Sequence, residues 1–470
     1  MKFRLLIDGD LVDGADAMEV IDPTRAEAFE RSPRGDTQQA EAAIAAAQRA
    51  QRPWAELGFE GRRPFLEGFA DALDRETGSI AEVLTRERGG PLADCQAEVR
   101  RAASAIRYFA GQVLTDRVLR DTSKERIVAQ RYPQGVVAAI TPWNRPMTLL
   151  SFKVGPALIT GNTVIAKPAP TTPLSTLMWG EIAAGIFPAG VFQTLPDLSD
   201  LGPLLTSHPG IAHVSFTGST PTGKRVLSSA AETLKRFTLE LGGNDAAIVL
   251  DDADVEWAAE RIFASAMINA GQVCYAAKRV YAPRALTGPL AEALAGHARA
   301  AVLGDGRDPA TTMGPLQNAM QFEKLKNILT DARREGGQFL TGGEATGQGY
   351  FIRPAIVTGL SDTSRLVREE QFGPALPVLP YDTIDEAVAR ANNSEFGLGG
   401  TIWTGQPERG IEIASRIETG TIWVNKHFDL PLEIPFGGAK ESGLGLQNGI
   451  EGLEDFTQLR ILNANMGANP

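Results

Sequence analysis

A chain of 470 residues exceeds one ordinary hydrophobic core, so two or three domains are expected and an enzyme is favoured over a small binding module. Charged residues make up 22% and apolar residues 43%, an ordinary globular balance. A formal net charge of −11, with its basic pairs scattered among acids, argues against nucleic acid as a partner.

Two cysteines, Cys95 and Cys274, allow at most one bridge in a chain that does not need it, so a reduced, cytoplasmic setting is expected. The apolar run Phe3–Ile7 is too short for a signal-peptide core, and no uncharged stretch approaches a membrane span, so no membrane association is expected. Residues 3–21 read as short strands around the Asp8-Gly9-Asp10 turn. An Ala-rich helix runs from Asp36 to Gln51, with Asp36 or Thr37 as its cap. Helical patterns then cover 62–88 and 93–111, and the stripe Phe65, Phe69, Leu73, Ile80 and Leu84 reads as packing. Cys95, with no His near it in sequence, reads as a buried structural thiol.

Between Leu119 and Arg131 the composition is polar and of mixed charge. From Gly135 short apolar runs alternate with helical patterns: strands at 135–141, 163–167, 190–195, 211–217 and 236–241, and helices at 146–160, 172–186, 199–207 and 221–234. Such alternation predicts a parallel sheet covered by helices on both faces. The pattern restarts after Gly243 with strand 246–250, helix 253–268, a turn bearing Cys274, strand 278–282 and helix 285–302.

Open parallel sheets bind ligands beyond the carboxyl ends of their strands. Those ends carry Thr141-Pro142-Trp143-Asn144, Lys167-Pro168, Thr217-Gly218-Ser219 and Glu240-Leu241-Gly242-Gly243. The turn Gly218–Gly223 leads into a helix whose free N–H groups suit a pyrophosphate, although Gly there serves turn geometry equally well. Its spacing mimics a phosphate-binding loop of nucleotide hydrolases until Arg225 replaces the required Ser or Thr, which disfavours that chemistry.

Glu240 and Cys274 pair a base with a thiol, a combination open to several chemistries. A cysteine hydrolase wants a His partner, and none of His208, His213, His297 and His427 lies in a local catalytic signature; His427 alone is kept as a pocket residue. Cys and His are too few and too scattered for a metal site. A covalent oxidoreductase uses every strand-end group: thiolate adds to an aldehyde, Asn144 donates to the oxyanion, a nicotinamide takes hydride, and water activated by Glu240 hydrolyses the thioester.

Over almost its whole length the chain resembles the NAD(P)-dependent aldehyde dehydrogenase superfamily. The matching motifs are Thr141-Pro142-Trp143-Asn144, Gly155-Pro156-Ala157-Leu158, Gly161-Asn162-Thr163, Lys167-Pro168, Phe216-Thr217-Gly218-Ser219 and Leu239-Glu240-Leu241-Gly242-Gly243. They continue with Gly271-Gln272-Val273-Cys274, Glu370-Gln371-Phe372-Gly373-Pro374, and Pro435-Phe436-Gly437-Gly438 followed by Lys440, Ser442 and Gly443. The resemblance implies an α/β fold: a Rossmann-like NAD(P)-binding domain from 1–115 and 134–241, an α/β catalytic domain over 242–435, and a small β oligomerisation element from 116–133 and 454–470. Residues 436–453 would return to the cofactor domain, and subunits would pair as homodimers or homotetramers.

By the same resemblance Cys274 is the nucleophile and Glu240 the general base, while the Asn144 amide and the Cys274 N–H form the oxyanion hole. Thr141, Pro142, Trp143, Lys167, Gly218, Ser219, Leu241, Gly242, Glu370 and Phe372 would hold NAD or NADP. Glu370 taken alone reads as half of a solvated Glu-Glu pair; the resemblance removes that reading for Glu370 and leaves it for Glu369. Two positions depart from the pattern. Pro170 stands where strongly NAD-selective members carry Glu, which implies dual or relaxed cofactor use, and Gln458 stands where some relatives carry Glu, leaving Glu240 without an understudy. The implied pocket is Arg145, Leu149, Phe152, Val273, Tyr275, Leu430 and Phe436, which fits an aromatic or medium-chain aldehyde. Arg145 meets either solvent or a substrate carboxylate. A CoA-acylating relative and a non-enzymatic binding descendant are the alternatives; Glu240 argues against the first, and retention of both Cys274 and Glu240 against the second.

Overall fold

The computed structural model describes residues 2–229 and 231–467. Its framework is two mainly parallel sheets. The first is ordered Asp10–Val12, Leu5–Ile7, Phe192–Thr194, Thr163–Lys167, Val136–Ile140, His213–Thr217, Arg236–Glu240 and Gly443–Leu444. Five of these strands, from Phe192–Thr194 to Arg236–Glu240, run parallel. The second is ordered Gln338–Thr341, Ala355–Thr358, Ala375–Tyr381, Ala277–Pro283, Asp245–Val249, Gly400–Trp403 and Trp423–Val424.

Strand alternation explains why both faces of each sheet are covered. In the first sheet Val137, Ala139, Val164 and Ala166 join one apolar cluster, and Val136, Ala138, Ile140 and Ile165 join another on the opposite face. The second sheet divides likewise, with Ala246, Ile248 and Tyr281 on one side and Ala247, Val249 and Val280 on the other. Each fully buried branched side chain contributes about 1.5–3 kcal/mol.

The strands and helices expected between 135 and 302 all form, within a few residues of the expected bounds. Four differences have local causes. The Ala-rich helix, capped by Asp36 through Gln39 N (2.8 Å), runs on to Glu56 through Pro53, because buried Trp54 anchors its last turn by donating to the Leu158 carbonyl (3.0 Å). The stretch 62–88 is two helices, Gly58–Arg75 and Thr77–Arg88, broken at Glu76 ahead of the poor helix formers Thr77, Gly78 and Ser79. A strand at Glu27–Arg34, not anticipated, pairs with Asp16–Asp22. The strand ending at Glu240, taken alone as the last of the first sheet, is followed at its edge by Gly443–Leu444, antiparallel, from within the returning segment 436–453.

The polar segment near 116–133 forms strands Arg117–Asp121 and Glu125–Pro133, which pair with Thr457–Asn465 as a three-stranded antiparallel sheet. The last three residues of the expected 454–470 element lie outside the described residues. No helix among the described residues is long and apolar enough to cross a membrane. Cys95 and Cys274 are both free thiols.

Candidate active site

After helix Val255–Met267 the chain passes through three consecutive left-handed residues, Asn269 (φ 52°), Ala270 (φ 53°) and Gly271 (φ 73°). The two non-glycines cost about 1–2 kcal/mol each, so the turn must be held from outside. Asn269 Oδ1 accepts from Arg88 Nη1 (3.1 Å), and Asn269 Nδ2 donates to the Asn144 carbonyl (3.1 Å). Gln272 Nε2 donates to the Asn269 carbonyl (2.9 Å), and Gln272 Oε1 accepts from Gln317 N (2.9 Å). At Gly271 a Cβ would lie 2.4 Å from the Gly373 carbonyl oxygen, so glycine is required for space as well as for conformation. Lys278 Nζ then donates to the carbonyls of Val273 (2.9 Å) and Cys274 (2.5 Å).

Asn144 Nδ2 donates to the Gln272 carbonyl (2.8 Å), which places this amide against the thiol turn and leaves its second N–H uncommitted. The frame behind it is wholly buried. Arg88 Nη2 donates to Cys95 Sγ (3.0 Å), and Arg88 Nη1 lies 3.3 Å from Glu98 Oε2. Glu98 Oε1 accepts from Met147 N (3.0 Å) at the start of helix Pro146–Ile159, where a negative charge favours the helix dipole. Cys95 is thus the buried thiol expected from sequence.

Glu240 closes strand Arg236–Glu240, is 4% exposed, and its Oε1 makes no hydrogen bond. Burial pushes its carboxyl up to about 8, opposed by the Lys153 ammonium and reinforced by Asp455. Lys153 is fully buried with Nζ on Ser215 Oγ (3.1 Å), and burial pulls it down to about 7, opposed by Glu240. No motif singled out Lys153, although a lone lysine in the apolar run Leu149–Ile159 was a visible signal. Gln458 lies on the outer sheet, accepting from Arg236 (3.0 Å).

The half-buried Cys274 thiol is pushed up to about 12, chiefly by burial; Lys278 opposes this, and Glu370, Glu240 and Asp245 add to it. A Cβ on Gly243 would lie 2.6 Å from the Cys274 carbonyl oxygen and one on Gly242 would lie 2.6 Å from Glu370 Oε2, so the end of the first sheet, the thiol turn and Glu370 meet at one crevice.

On the crevice's other side, Thr141 is buried with an unpaired Oγ1. Half-buried Pro142 leads to Trp143, whose ring meets Phe372 edge-on at 5.5 Å. Gly218 and Ser219 enter helix Thr220–Ser229; a Cβ on Gly218 would strike the Phe216 ring at 2.6 Å, and one on Gly223 would strike Leu241 at 2.5 Å. Lys224 pairs with Glu441 (2.8 Å) instead of facing the turn. Glu370 Oε1 accepts from Gly243 N (3.0 Å), and its other oxygen fills the space that a Cβ on Gly242 would need. Asn244 Nδ2 ties down the carbonyls of Val367 (2.8 Å) and Arg368 (3.1 Å), and Gln321 Nε2 ties those of Gln371 (2.8 Å) and Phe372 (3.0 Å), which holds Phe372 at φ 50°.

Lys167 Nζ lies 2.5 Å from Asp197 Oδ1, and Asp197 Oδ2 accepts from Leu201 N (2.8 Å). Asp197 follows strand Phe192–Thr194, at whose carboxyl end no sequence motif marks it. These groups fit a dinucleotide: free N–H groups at a helix start, an unpaired hydroxyl, a cation and carboxylates for sugar hydroxyls.

On the substrate side, Val273 is buried beside the thiol, and Phe436 and Leu430 pack with Cys274, Tyr275, Leu398 and Trp423. The Tyr275 ring lies 5.4 Å from Phe436 and 4.9 Å from Phe428. His427 donates from Nε2 to the Tyr275 carbonyl (2.7 Å) and stacks on Trp423 at 4.9 Å; burial pulls it down to about 4, so it is neutral at pH 7. Leu149 and Phe152 stand half-buried, three residues apart on helix Pro146–Ile159, outside that cluster. Arg145 does not point to open solvent: its side chain is 20% exposed, with Nη1 3.7 Å from Glu98 Oε2.

A thiol, a buried base, an amide donor and a dinucleotide cradle in one crevice can together oxidise a carbonyl compound through a covalent adduct. The family model described as "Aldehyde dehydrogenase family" matches residues 11–462. A betaine aldehyde dehydrogenase of Rhizobium leguminosarum bv. trifolii is 36% identical, over 99% of this chain and 98% of its own. The aldehyde dehydrogenase LUC3 of a Fusarium species is 38% identical, over 98% of both. Among solved structures, a Staphylococcus aureus betaine aldehyde dehydrogenase in complex with NAD+ superposes with TM-score 0.96 at 30% identity, covering 99% of this chain and 95% of that one. An Escherichia coli NADP dependent enzyme gives 0.95 at 34%, covering 98% of both. With the matched model spanning nearly all of the two-sheet framework and its crevice, this chain belongs to the aldehyde dehydrogenase family, oxidoreductases that use NAD(P)+.

Proposed function

We propose that the protein oxidises an aldehyde to the carboxylic acid at Cys274, with Glu240 as base and Asn144 as oxyanion donor. The observation that carries this is the thiol turn bonded to Asn144, with the buried Glu240 carboxyl, its Oε1 unpaired, near enough to bear on the thiol. Cys274 passes its proton to Glu240, which releases it to solvent, and the sulfur bonds to the aldehyde carbon; the oxyanion receives the free Asn144 N–H and the Cys274 backbone N–H. A bound NAD(P)+ would supply the hydride acceptor, and the adduct on Cys274 would be left as a thioester. Thr141, Trp143, Lys167, Ser219, Glu370 and Phe372 hold the dinucleotide, and the Gly218 and Gly242 backbones admit it closely. Pro142 and Leu241 shape its walls. Glu240 then takes a proton from water, the hydroxide adds to the thioester, and the C–S bond breaks to release acid and thiolate. A carboxyl held up to about 8 by burial is matched to activating water near neutral pH, which favours acid over acyl-CoA as product.

The test is a two-variant assay. Cys274→Ser should lose nearly all NAD(P)H formation, whereas Glu240→Gln should give a burst and then slow steeply; wild-type steady turnover by either sinks the assignment.

The wall of Val273, Tyr275, Leu430 and Phe436 supports an aromatic or medium-chain aldehyde, with Leu149 and Phe152 as further apolar side chains on helix Pro146–Ile159. The names of the betaine aldehyde dehydrogenases favour a second reading, because aromatic rings can hold a quaternary ammonium group. For the cofactor, Pro170 removes a carboxylate from the ribose site while Asp197 places one beside Lys167, so the two residues pull selectivity in opposite directions. We further read the first sheet as the cofactor domain, the second as the catalytic domain, and the three-stranded sheet as the pairing surface of a homodimer or homotetramer. Exposed Val118, Leu119, Leu459, Ile461 and Leu462 on that sheet support the last point, and sedimentation velocity tests it. Two free thiols support a cytoplasmic setting.

A further inference from the structure

We infer that the aldehyde carries a carboxylate, recognised at the rim of the pocket by Arg101 and Arg145. This rests on the aldehyde oxidation proposed above. Arg101 lies on helix Leu92–Ala110 and reaches across to the second half of the chain, donating from Nη2 to the Leu430 carbonyl (2.6 Å). Leu430 packs against Cys274, Tyr275 and Phe436, so this guanidinium borders the wall around the thiol. Arg145 lies near it: its Nη1 is 3.7 Å from Glu98, which stands one turn before Arg101 on the same helix. Both guanidiniums act on one phenol: burial pushes Tyr275 up to about 12, the Cys274 thiol adds to this, and Arg145 and Arg101 oppose it.

Among the described residues, Glu98 is the one carboxylate within ion-pair distance of either arginine, and it is shared. Glu98 serves two guanidiniums, Arg88 at 3.3 Å and Arg145 at 3.7 Å, while its other oxygen is committed to Met147 N. Arg101's only polar contact among the described residues is a neutral carbonyl. Two cationic forks with donors to spare, half-buried beside an aromatic wall, match a planar carboxylate. The same pair repels a quaternary ammonium, which opposes the reading drawn from the names of the betaine aldehyde dehydrogenases. The substrate class is therefore an aldehyde-acid whose two ends are separated by a short chain or one ring.

The probes are 4-carboxybenzaldehyde, benzaldehyde and betaine aldehyde, compared by kcat/KM on the full-length protein. The acid is expected to lead benzaldehyde by about tenfold and betaine aldehyde by about a hundredfold. Arg101→Met and Arg145→Met should each cut the acid-to-neutral ratio by about tenfold, mainly through KM, with Arg101→Lys recovering part of it. Calorimetry with benzene-1,4-dicarboxylate reads the same site without turnover: wild type should bind it, and both Met variants should lose most of that binding. A ratio near one in wild type, or betaine aldehyde as the best substrate, overturns the proposal. If no aldehyde is oxidised, the dehydrogenase reading has failed, and the dicarboxylate titration still decides whether these arginines form an anion site.

Discussion

The turn that delivers Cys274 and the turn that carries Ser219 are built in opposite ways. The first runs through left-handed backbone and is clamped by the buried side chains of Arg88, Asn269 and Gln272. The second opens a helix start, near the unpaired Thr141 and Thr217 hydroxyls. Reacting atoms need fixed positions, so there the polar groups are spent on one another. A departing cofactor needs partners, so there the Thr141 and Thr217 hydroxyls are kept free, while Ser219 Oγ donates within its own turn to Thr222 (3.0 Å).

The largest expected effect removes the reacting atom without touching the clamp. Cys274→Ser should lower turnover about 10⁴-fold while leaving the melting temperature nearly unchanged, as differential scanning fluorimetry would report. Next, Glu240→Gln should slow steady-state turnover about 10²–10³-fold with the burst preserved in stopped flow.

Breaking the clamp itself should cost stability. Gly271→Ala introduces both a left-handed alanine and a contact with the Gly373 carbonyl, and urea unfolding should show a loss of about 3 kcal/mol. The equivalent change on the cofactor side should be read in binding instead: Asp197→Asn should move the NAD-to-NADP ratio of kcat/KM toward NADP by about tenfold, since one negative charge beside the ribose site is removed.

The smallest effect concerns pH. Glu240 is raised by burial, so the native state keeps a proton that the unfolded chain releases above its ordinary carboxylate range. Its contribution to stability is therefore complete at low pH and falls as pH rises toward about 8. Glu240→Gln should narrow the drop in melting temperature between pH 5.5 and pH 8.5 by about 1–3 °C. Over the same window the wild-type hydrolytic step should speed up as the carboxyl ionises.

Most of the framework was legible because it depends on local pattern. Apolar runs bounded by Gly and Asn located every strand from Val136 to Pro283, and the strand ends named Asn144, Lys167 and Glu240. Residues whose meaning lies in a distant partner were not legible. Arg101 acquires a role only through Leu430, Lys153 only through Ser215 and Glu240, and Asp197 only through Lys167. The break at Glu76 was hidden because the apolar stripe continues from Leu73 to Ile80 across it.

The clamp on the thiol turn also bears on the order in which the molecule assembles. Its bonds to Asn269 come from Arg88 and Asn144, 181 and 125 positions earlier in the chain, and Gln317 follows 45 positions after Gln272. Long loops must close before such contacts form, so they are late events in folding. A nascent or partly unfolded chain therefore has its cysteine but not the geometry that aims it, and reactivity at Cys274 becomes a property of the completed molecule.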